Sequence, residues 1–133
     1  MINKSKKILT EISAGELLDK LSILEIKLEK IQNKEKRLEI NKEYKILKKS
    51  HNTNIKTNDK IENLFQDLKN VNLDLWKVED KIRICEKNKD FKETFVELAR
   101  KVYFCNDKRA KIKAEINEIL GSNIKEIKQY SNY

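Results

Sequence analysis

The chain has 133 residues, a formal net charge of +8, 39% charged residues, no Pro and two Gly. This composition is typical of long, solvated helices, and the length fits a single domain over residues 1–133. No stretch approaches the ~20 consecutive apolar residues of a membrane span, and no long apolar run follows the basic tail at residues 1–11. A membrane span and a secretory signal are therefore not expected, and we expect a cytoplasmic protein.

The first predicted helix begins at Ser13-Ala14-Gly15-Glu16, a capping box in which the side chains of residues 13 and 16 bond each other's backbone N–H. Its apolar stripe comprises Leu17, Leu21, Leu24, Leu28 and Ile31. The pattern weakens at residues 32–34 and resumes to about Lys49. The second piece can continue the first helix with a kink or fold back on it. Residues 50–57 are predicted to form a loop.

Two heptad seams follow, in which apolar residues recur at alternating steps of three and four. The first comprises Ile61, Leu64, Leu68, Val71, Leu75, Val78, Ile82 and Cys85. The second comprises Phe91, Phe95, Leu98, Val102, Cys105, Arg109, Ile112, Ile116 and Ile119. Thr57 or Asn58 caps the first helix, Asp90 with Glu93 caps the second, and Gly121 ends it. The short connection requires the two helices to be antiparallel.

We therefore expect an all-α, antiparallel bundle of three long helices, the first kinked or folded back near residues 32–34. The C-terminal tail, residues 122–133, carries spaced apolar side chains and is predicted to pack along the bundle. The hairpin register separates Cys85 from Cys105, so two free, buried thiols are expected. His51, the only His, falls in the predicted loop, and no metal or cofactor site is expected.

Arg109 breaks the second seam, where an apolar residue belongs. A buried guanidinium without partners costs several kcal/mol, so it needs acceptors, solvent or a ligand. One interpretation is a structural ion pair with Asp67 or Asp74 across the hairpin, or a dimer seam in which Arg109 sets the register. The other is a clamp for an anionic ligand, since arginine offers a planar fork in a chain that otherwise favours lysine.

Further polar side chains lie on or beside the inward faces and complete a candidate ligand-binding set without an assigned catalytic residue. With Arg109, the set comprises Asn106, Lys113, Glu79, Arg83 and Asp19. Glu79 and Arg83 stand at i,i+4, so they can also simply pair with each other. No Gly-rich phosphate loop, Cys pair, EF-hand loop or nucleophile elbow is present.

Two long stretches resemble an uncharacterised bacterial family of short all-helical proteins, a domain of unknown function. The matching residues are 12–27, Leu75-Trp76, Glu79-Asp80, Ile82-Arg83, Cys85-Glu86, Asp90-Phe91, Phe95, 97–100, Val102-Tyr103, Asn106-Asp107, Arg109-Ala110, Lys113, Ile116-Asn117, Gly121-Ser122, Glu126, Lys128, Tyr130 and Tyr133. The resemblance adds Asp107 to the candidate set and implies a setting beside glycosyltransferase and surface-polysaccharide components. Some members carry a Pro near residues 33–34, which favours a helix break there.

Three functions follow as hypotheses. The first is a helical binding or scaffold module, a homodimer that recognises a partner protein or an anionic ligand in envelope-glycan metabolism. The second is a small all-helical enzyme, with an architecture like that of helical chorismate mutases, acting on a carboxylated or phosphorylated metabolite. The third, which we do not favour, is nucleic-acid binding through residues 34–60, where nine basic side chains stand against four acidic ones. A lysine-rich coding bias is the favoured explanation of that excess, since a charge run is usually a solvated face.

Overall fold

The computed structural model describes residues 6–133 and is all-α, as predicted. It contains four helices: α1 Ala14–Lys30, α2 Lys34–Asn54, α3 Asp59–Lys87 and α4 Glu93–Leu120. The prediction of three long helices is wrong, because the segment before residue 34 and the segment after it form separate helices. Of the predicted basic tail at residues 1–11, residues 1–5 lie outside the described residues. Within residues 6–133, no helix combines the length and apolar character needed to cross a bilayer.

The break between α1 and α2 is built from side chains on both sides of it. Asn33 caps α2, and its Oδ1 accepts a hydrogen bond from the backbone N–H of Lys36 at 2.9 Å. The Arg37 guanidinium reaches back and donates to the carbonyl of Ile31 at 2.9 Å and to that of Leu28. These contacts satisfy backbone groups that a helix end leaves unpaired. The chain therefore folds back without a Pro, and α2 packs against α1.

The predicted loop at residues 50–57 is wrong in its first part, since α2 continues to Asn54. The Asn54 side chain donates to the carbonyl of Ser50 at 2.8 Å, so a residue that usually favours turns supports the last helical turn. His51 lies buried in that turn instead of in a loop. Asn58 caps α3 as predicted, with its Oδ1 accepting from the N–H of Ile61.

Helix α1 packs on both α3 and α4 and completes the main core. That cluster joins Leu17, Leu18 and Leu21 of α1 to Ile61, Leu64, Leu68 and Val71 of α3 and to Ile112 and Ile116 of α4. Gly15 allows the close approach, because a Cβ there would lie 2.6 Å from the carbonyl oxygen of Lys113. The two predicted seams face each other, with α3 and α4 antiparallel, except that Phe91 and Ile119 at the ends of the second seam are exposed.

The far end of the α3–α4 pair, residues 78–102, has a separate small core and is called the outer hairpin below. Its cluster consists of Val78, Cys85 and Leu98, with Ile82, Phe95 and Val102 packed around them. Within the described chain, α3 and α4 alone build this cluster. The 17 residues of α1 extend about 26 Å and the 29 residues of α3 about 44 Å, so α1 is too short to cover the whole pair.

The two ends of α4 differ in how well the sequence predicted them. Gly121 ends the helix with φ 63° and ψ 42°, the left-handed conformation expected of it. The cap by Asp90 is wrong, because α4 begins at Glu93 and Lys92 stands at its N-cap without a side-chain hydrogen bond. Asp90 instead accepts from the backbone N–H of Lys92 at 3.2 Å, within the turn that joins the hairpin.

The C-terminal tail lies back along α4 without regular secondary structure. Ser122 accepts from the N–H of Ala14 at 2.8 Å, and Tyr133 donates to the Asp107 carboxylate. The prediction that the tail packs through its spaced apolar side chains is wrong, because Ile124, Ile127, Tyr130 and Tyr133 are all exposed. Polar contacts hold it instead.

Candidate functional site

The guanidinium of Arg109 is met by the carboxylate of Asp19 on α1. Its Nε donates to Asp19 Oδ1 at 2.9 Å, and its Nη2 donates to Oδ2. The Asp19 side chain is only 1% exposed, whereas that of Arg109 is 27% exposed. The predicted ion pair therefore exists, but its acceptor comes from α1 and not from Asp67 or Asp74. The hydrogen bonds to Asp19 raise the pKa of Arg109, although burial opposes them.

Helix α3 reaches the same carboxylate through Asn72, which is buried. Its Nδ2 donates both to Asp19 Oδ1 and to Ser22 Oγ, each at 2.8 Å. The Ser22 hydroxyl donates a hydrogen bond to the backbone carbonyl of Asp19 at 2.8 Å. In the described chain no buried side-chain nitrogen or oxygen lacks a partner. The network is thus complete without a ligand. A buried polar cluster that is fully hydrogen-bonded fixes the relative positions of the helices that contribute to it, here three.

Lys113, one turn further along α4, is the second buried cation of the network. Its Nζ donates to Glu16 at 2.8 Å and to Glu126 of the tail at 2.9 Å, and it lies 3.8 Å from Asp19 Oδ2. Burial lowers the pKa of Lys113, but the carboxylates outweigh it and the pKa is raised. Lys113 in turn lowers the pKa of Glu126. The Glu16 carboxylate binds Lys113 instead of the backbone N–H of Ser13. Half of the predicted capping box therefore forms, the hydrogen bond from the Glu16 N–H to the Ser13 hydroxyl.

The structure brings four of the seven predicted site residues into one cluster. Asp19, Arg109 and Lys113 form its ion pairs, and Asn106 Oδ1 lies 3.5 Å from Arg109 Nη1. Asp107 lies elsewhere and accepts from the Tyr133 hydroxyl. Their ligand-binding role stays a prediction.

Arg83 and Glu79 lie further along α3, outside the network. They form an exposed ion pair of 3.4 Å between Arg83 Nε and Glu79 Oε2. Both line an open groove of about 420 Å³ where α1 leaves α3. Its other lining residues are Ile23, Ile26, Asn72, Leu75, Trp76, Asp80 and Arg109. The groove therefore places both predicted arginines beside one apolar wall, together with the carboxylates of Glu79 and Asp80.

Further residues outside the predicted candidate set form hydrogen bonds or ion pairs in and beside the network. They are Ser22, Asn72, Asn117, Ser122 and Glu126. Asn117 Oδ1 accepts from the N–H of Gly15 at 2.7 Å and so satisfies the first turn of α1. The sequence contains no signal for Asn72, since Asn70 flanks the seam residue Val71 equally and is exposed.

The cysteines are free, as predicted. Cys85 is buried in the outer hairpin, whereas Cys105 is only half-buried, which corrects the expectation of two buried thiols. Burial raises the pKa of Cys105, which disfavours the reactive thiolate. Among residues 6–133, no group of His, Cys, Asp and Glu side chains is placed to hold a metal ion.

The family model that matches the chain covers residues 8–133, which takes in all four helices, the buried network and the tail. The chain belongs to DUF6165, a family of unknown function. The resemblance to a family without an assigned activity is thereby confirmed. No curated protein and no solved structure matches this DUF6165 chain. Its function must therefore be argued from its surfaces and charges.

Proposed function

We propose that this DUF6165 protein is a non-enzymatic helical binding module whose outer hairpin docks an amphipathic helix of a partner protein. The observation that carries the proposal is the outer hairpin itself. It projects beyond α1 with a small core of its own, and it leaves Ile84, Phe91 and Val96 exposed at 57%, 49% and 51%. Exposed apolar side chains grouped on a projecting element are typical of interaction sites.

The outer hairpin carries a groove suited to a helix. Between α3 and α4 lies an open depression of about 370 Å³, with Ile84, Cys85 and Leu98 among its lining residues. A helix laid along such a groove buries side chains spaced at i, i+3 or i+4, and i+7. It would supply the third helix that this end of the α3–α4 pair lacks.

The charges around the groove favour a partner with an acidic edge. Lys81 on α3 and Lys101 on α4 line it, against one carboxylate, Glu97. A second copy of the chain would bring the same pair of lysines to the contact, whereas a helix with Glu or Asp beside its apolar stripe would complement them. The predicted homodimer is therefore the competing occupant.

Support for a non-enzymatic role comes from the buried network. The carboxylates of Asp19, Glu16 and Glu126 are engaged by Arg109 and Lys113. A general acid or base needs a proton site within reach of a bound substrate. Groups that already satisfy one another act as a structural lock. The envelope-glycan setting rests on the family resemblance alone.

The test uses a labelled, helical synthetic peptide with Leu at positions i, i+3, i+7 and i+10 and Glu along the edges. Its binding is measured by fluorescence anisotropy on the full chain, on Ile84→Glu and on Ile46→Glu, a control at an exposed α2 residue (61% exposed). We expect the wild type and the control to bind equally, and Ile84→Glu to bind at least tenfold more weakly. Equal binding to all three proteins would refute the docking surface.

The competing homodimer is tested by sedimentation of the same three proteins over a range of concentrations. The proposal predicts monomers. A dimer that Ile84→Glu dissociates and Ile46→Glu does not would assign the groove to a second copy and contradict the partner helix.

A second candidate function, binding of a partly apolar anion, is favoured by the groove between α1 and α3. Arg83 supplies an exposed guanidinium there, paired at the surface with Glu79, and Trp76 an aromatic wall, while Arg109 is bound by the buried Asp19. Phosphorylated sugars, nucleotide sugars and carboxylated metabolites are screened by thermal shift on the wild type and on Arg83→Met. A ligand that raises the melting temperature of the wild type but not that of Arg83→Met supports this candidate, and the enzyme hypothesis with it. A ligand that stabilises both proteins equally does not use the groove.

A further inference from the structure

A second open surface lies on the opposite end of α4, between that helix and the C-terminal tail. The tail is fixed near Ser122, at Glu126 and at Tyr133, and between these points it stands off the helix. The cleft between them has a volume of about 1110 Å³. An adjoining hollow of about 570 Å³ shares Asp107, Lys128, Tyr130 and Tyr133 with it.

Aromatic rings gather at one end of this cleft. Tyr133 lies 5.5 Å from Tyr103 and 5.2 Å from Phe104 between ring centroids, in edge-to-face geometry. The side chains of Tyr103 and Phe104 are 43% and 42% exposed, and Tyr130 is 73% exposed beside them. Tyr103, Tyr130 and Tyr133 line the hollow, whereas the Arg100 guanidinium lies over the Phe104 ring, 5.7 Å from its centroid. Exposed aromatic rings are surfaces on which a planar base can stack.

Cations line the rest of the cleft. Lys108 and Lys111 of α4 face it and form no ion pair within residues 6–133, whereas Lys113 and Lys128 are engaged by Glu126. The Asp107 carboxylate accepts a hydrogen bond from the Tyr133 hydroxyl and keeps its negative charge. The lining therefore carries four lysines against two carboxylates, Asp107 and Glu126. The cleft therefore combines unpaired positive charge with exposed aromatic faces.

We infer that this cleft binds single-stranded nucleic acid, with bases stacked on Tyr103 and its neighbouring rings and phosphates beside Lys108 and Lys111. Positive charge that tracks a backbone, together with aromatic side chains that stack bases, is how proteins bind single strands without sequence preference. A duplex hides its base faces, and a neutral glycan makes no use of the lysines. The basic segment 34–60 lacks such a set of rings, since Tyr44 is its only aromatic residue.

The inference is tested by fluorescence anisotropy with labelled oligo(U) and oligo(dT) of 12 nucleotides, a 12-base-pair DNA duplex and inorganic polyphosphate. Binding to the full chain is measured between 50 and 200 mM salt. We expect both single strands to bind more tightly than the duplex and the polyphosphate. Affinity should fall with salt, because the lysines displace counterions from the phosphates.

Two variants separate stacking from charge. Tyr103→Ala should weaken oligo(U) binding about tenfold, as the loss of one stacking platform predicts. Lys108→Gln with Lys111→Gln should weaken binding and reduce the magnitude of the salt slope by about 1.4, the contribution of two phosphate contacts on a single strand. The matched controls are Phe91→Ala, an exposed ring of the outer hairpin, and Lys42→Gln with Lys45→Gln on α2. Both should bind as the wild type does.

Absence of oligo(U) and oligo(dT) binding would overturn the inference, as would equal binding of polyphosphate. Loss of binding in the α2 control but not in the Lys108 and Lys111 variant would move the site to residues 34–60. Binding of an acidic oligosaccharide without binding of single strands would assign the cleft to glycans. None of these outcomes depends on the outer hairpin, so the proposed docking function stands or falls separately.

Discussion

Arg109 and Asp19 lie 90 residues apart in the chain, and two hydrogen bonds join their side chains, from Nε to Oδ1 and from Nη2 to Oδ2. The seam position that breaks the apolar pattern of α4 is thus the point at which α1 is attached. Asn72 brings α3 to the same carboxylate. One buried anion therefore sets the positions of three helices, while the outer hairpin and the tail–α4 cleft remain open on either side.

Gly15→Ala should destabilise the fold through a steric clash of the new Cβ with α4 rather than through backbone strain. The added Cβ would lie 2.6 Å from the Lys113 carbonyl oxygen, so α1 would have to move off α4. We expect a loss of about 2 kcal/mol in the free energy of unfolding, measured by urea denaturation. The control is Gly121→Ala, where φ is +63° and nothing lies within 4 Å of the new Cβ. It should cost about 1 kcal/mol through backbone strain alone. A smaller loss for Gly15→Ala than for the control would contradict the close approach.

Asn72→Ala should cost about 2 kcal/mol, since it removes the donor from both Asp19 and Ser22 in a buried site. The matched control is Asn70→Ala, two residues away on the exposed side of α3, whose side chain accepts only from Gln66 at 3.2 Å. It should be close to neutral. Urea unfolding of both variants checks the difference, and similar losses would show that the polar network contributes little.

Glu126→Gln should lower the melting temperature at neutral pH but not in acid. Lys113 lowers the pKa of Glu126 from its ordinary value of 4.5. The stabilisation from this carboxylate is therefore present above pH 4.5 and is lost as the pH falls through the lowered pKa. Melting curves of the wild type and the variant from pH 7 to 2.5 should converge below pH 4.5. A difference in melting temperature that stayed constant over this range would rule out the ion pair.

The ion pair between Lys113 and Glu126 is also lost at high pH. The pKa of Lys113 is raised above 10.5, with burial opposing and the hydrogen bonds to Glu16 and Glu126 prevailing. Its contribution is therefore complete below pH 10.5 and is lost as the pH rises through the raised pKa. Lys113→Met should accordingly differ most from the wild type near neutral pH, and its melting curve should approach that of the wild type in strong alkali. A gap that widened above pH 10.5 would contradict the sign of this shift.

Much of the fold was predictable because the seams of α3 and α4 carry their own periodicity. The position of α1 was less predictable, because an apolar stripe indicates that a helix packs but does not identify the helices on which it packs. The sequence located the break near residues 32–34 but did not decide between a kink and a fold-back, because the fold-back depends on the Arg37 side chain reaching the end of α1. The Asp90 cap failed for a similar reason: the turn before α4 uses that carboxylate, and the helix starts three residues later.

About half of the candidate site was predictable from the sequence. A cation on an apolar seam signals a buried acceptor by elementary electrostatics, and Arg109 has one. The identity of that acceptor depends on how α1 crosses the hairpin, which the heptad pattern does not encode. Asn72, Glu126 and Asn117 join the network only through tertiary contacts. Arg83, by contrast, lies on the exposed side of α3 at some distance from the network.

A double-mutant cycle on Asp19 and Arg109 tests the buried lock most directly. Unfolding free energies are measured for the wild type, Asp19→Asn, Arg109→Met and the double variant, with Glu79→Gln and Arg83→Met as a control cycle on an exposed pair. Asp19→Asn alone should cost about 3 kcal/mol, because it leaves a largely buried cation without its counter-ion. The coupling energy should be about 2 kcal/mol for the buried pair and at most about 0.5 kcal/mol for the exposed one. The account would be contradicted if the losses of unfolding free energy at Asp19 and Arg109 were additive, as is expected for the exposed pair Glu79 and Arg83.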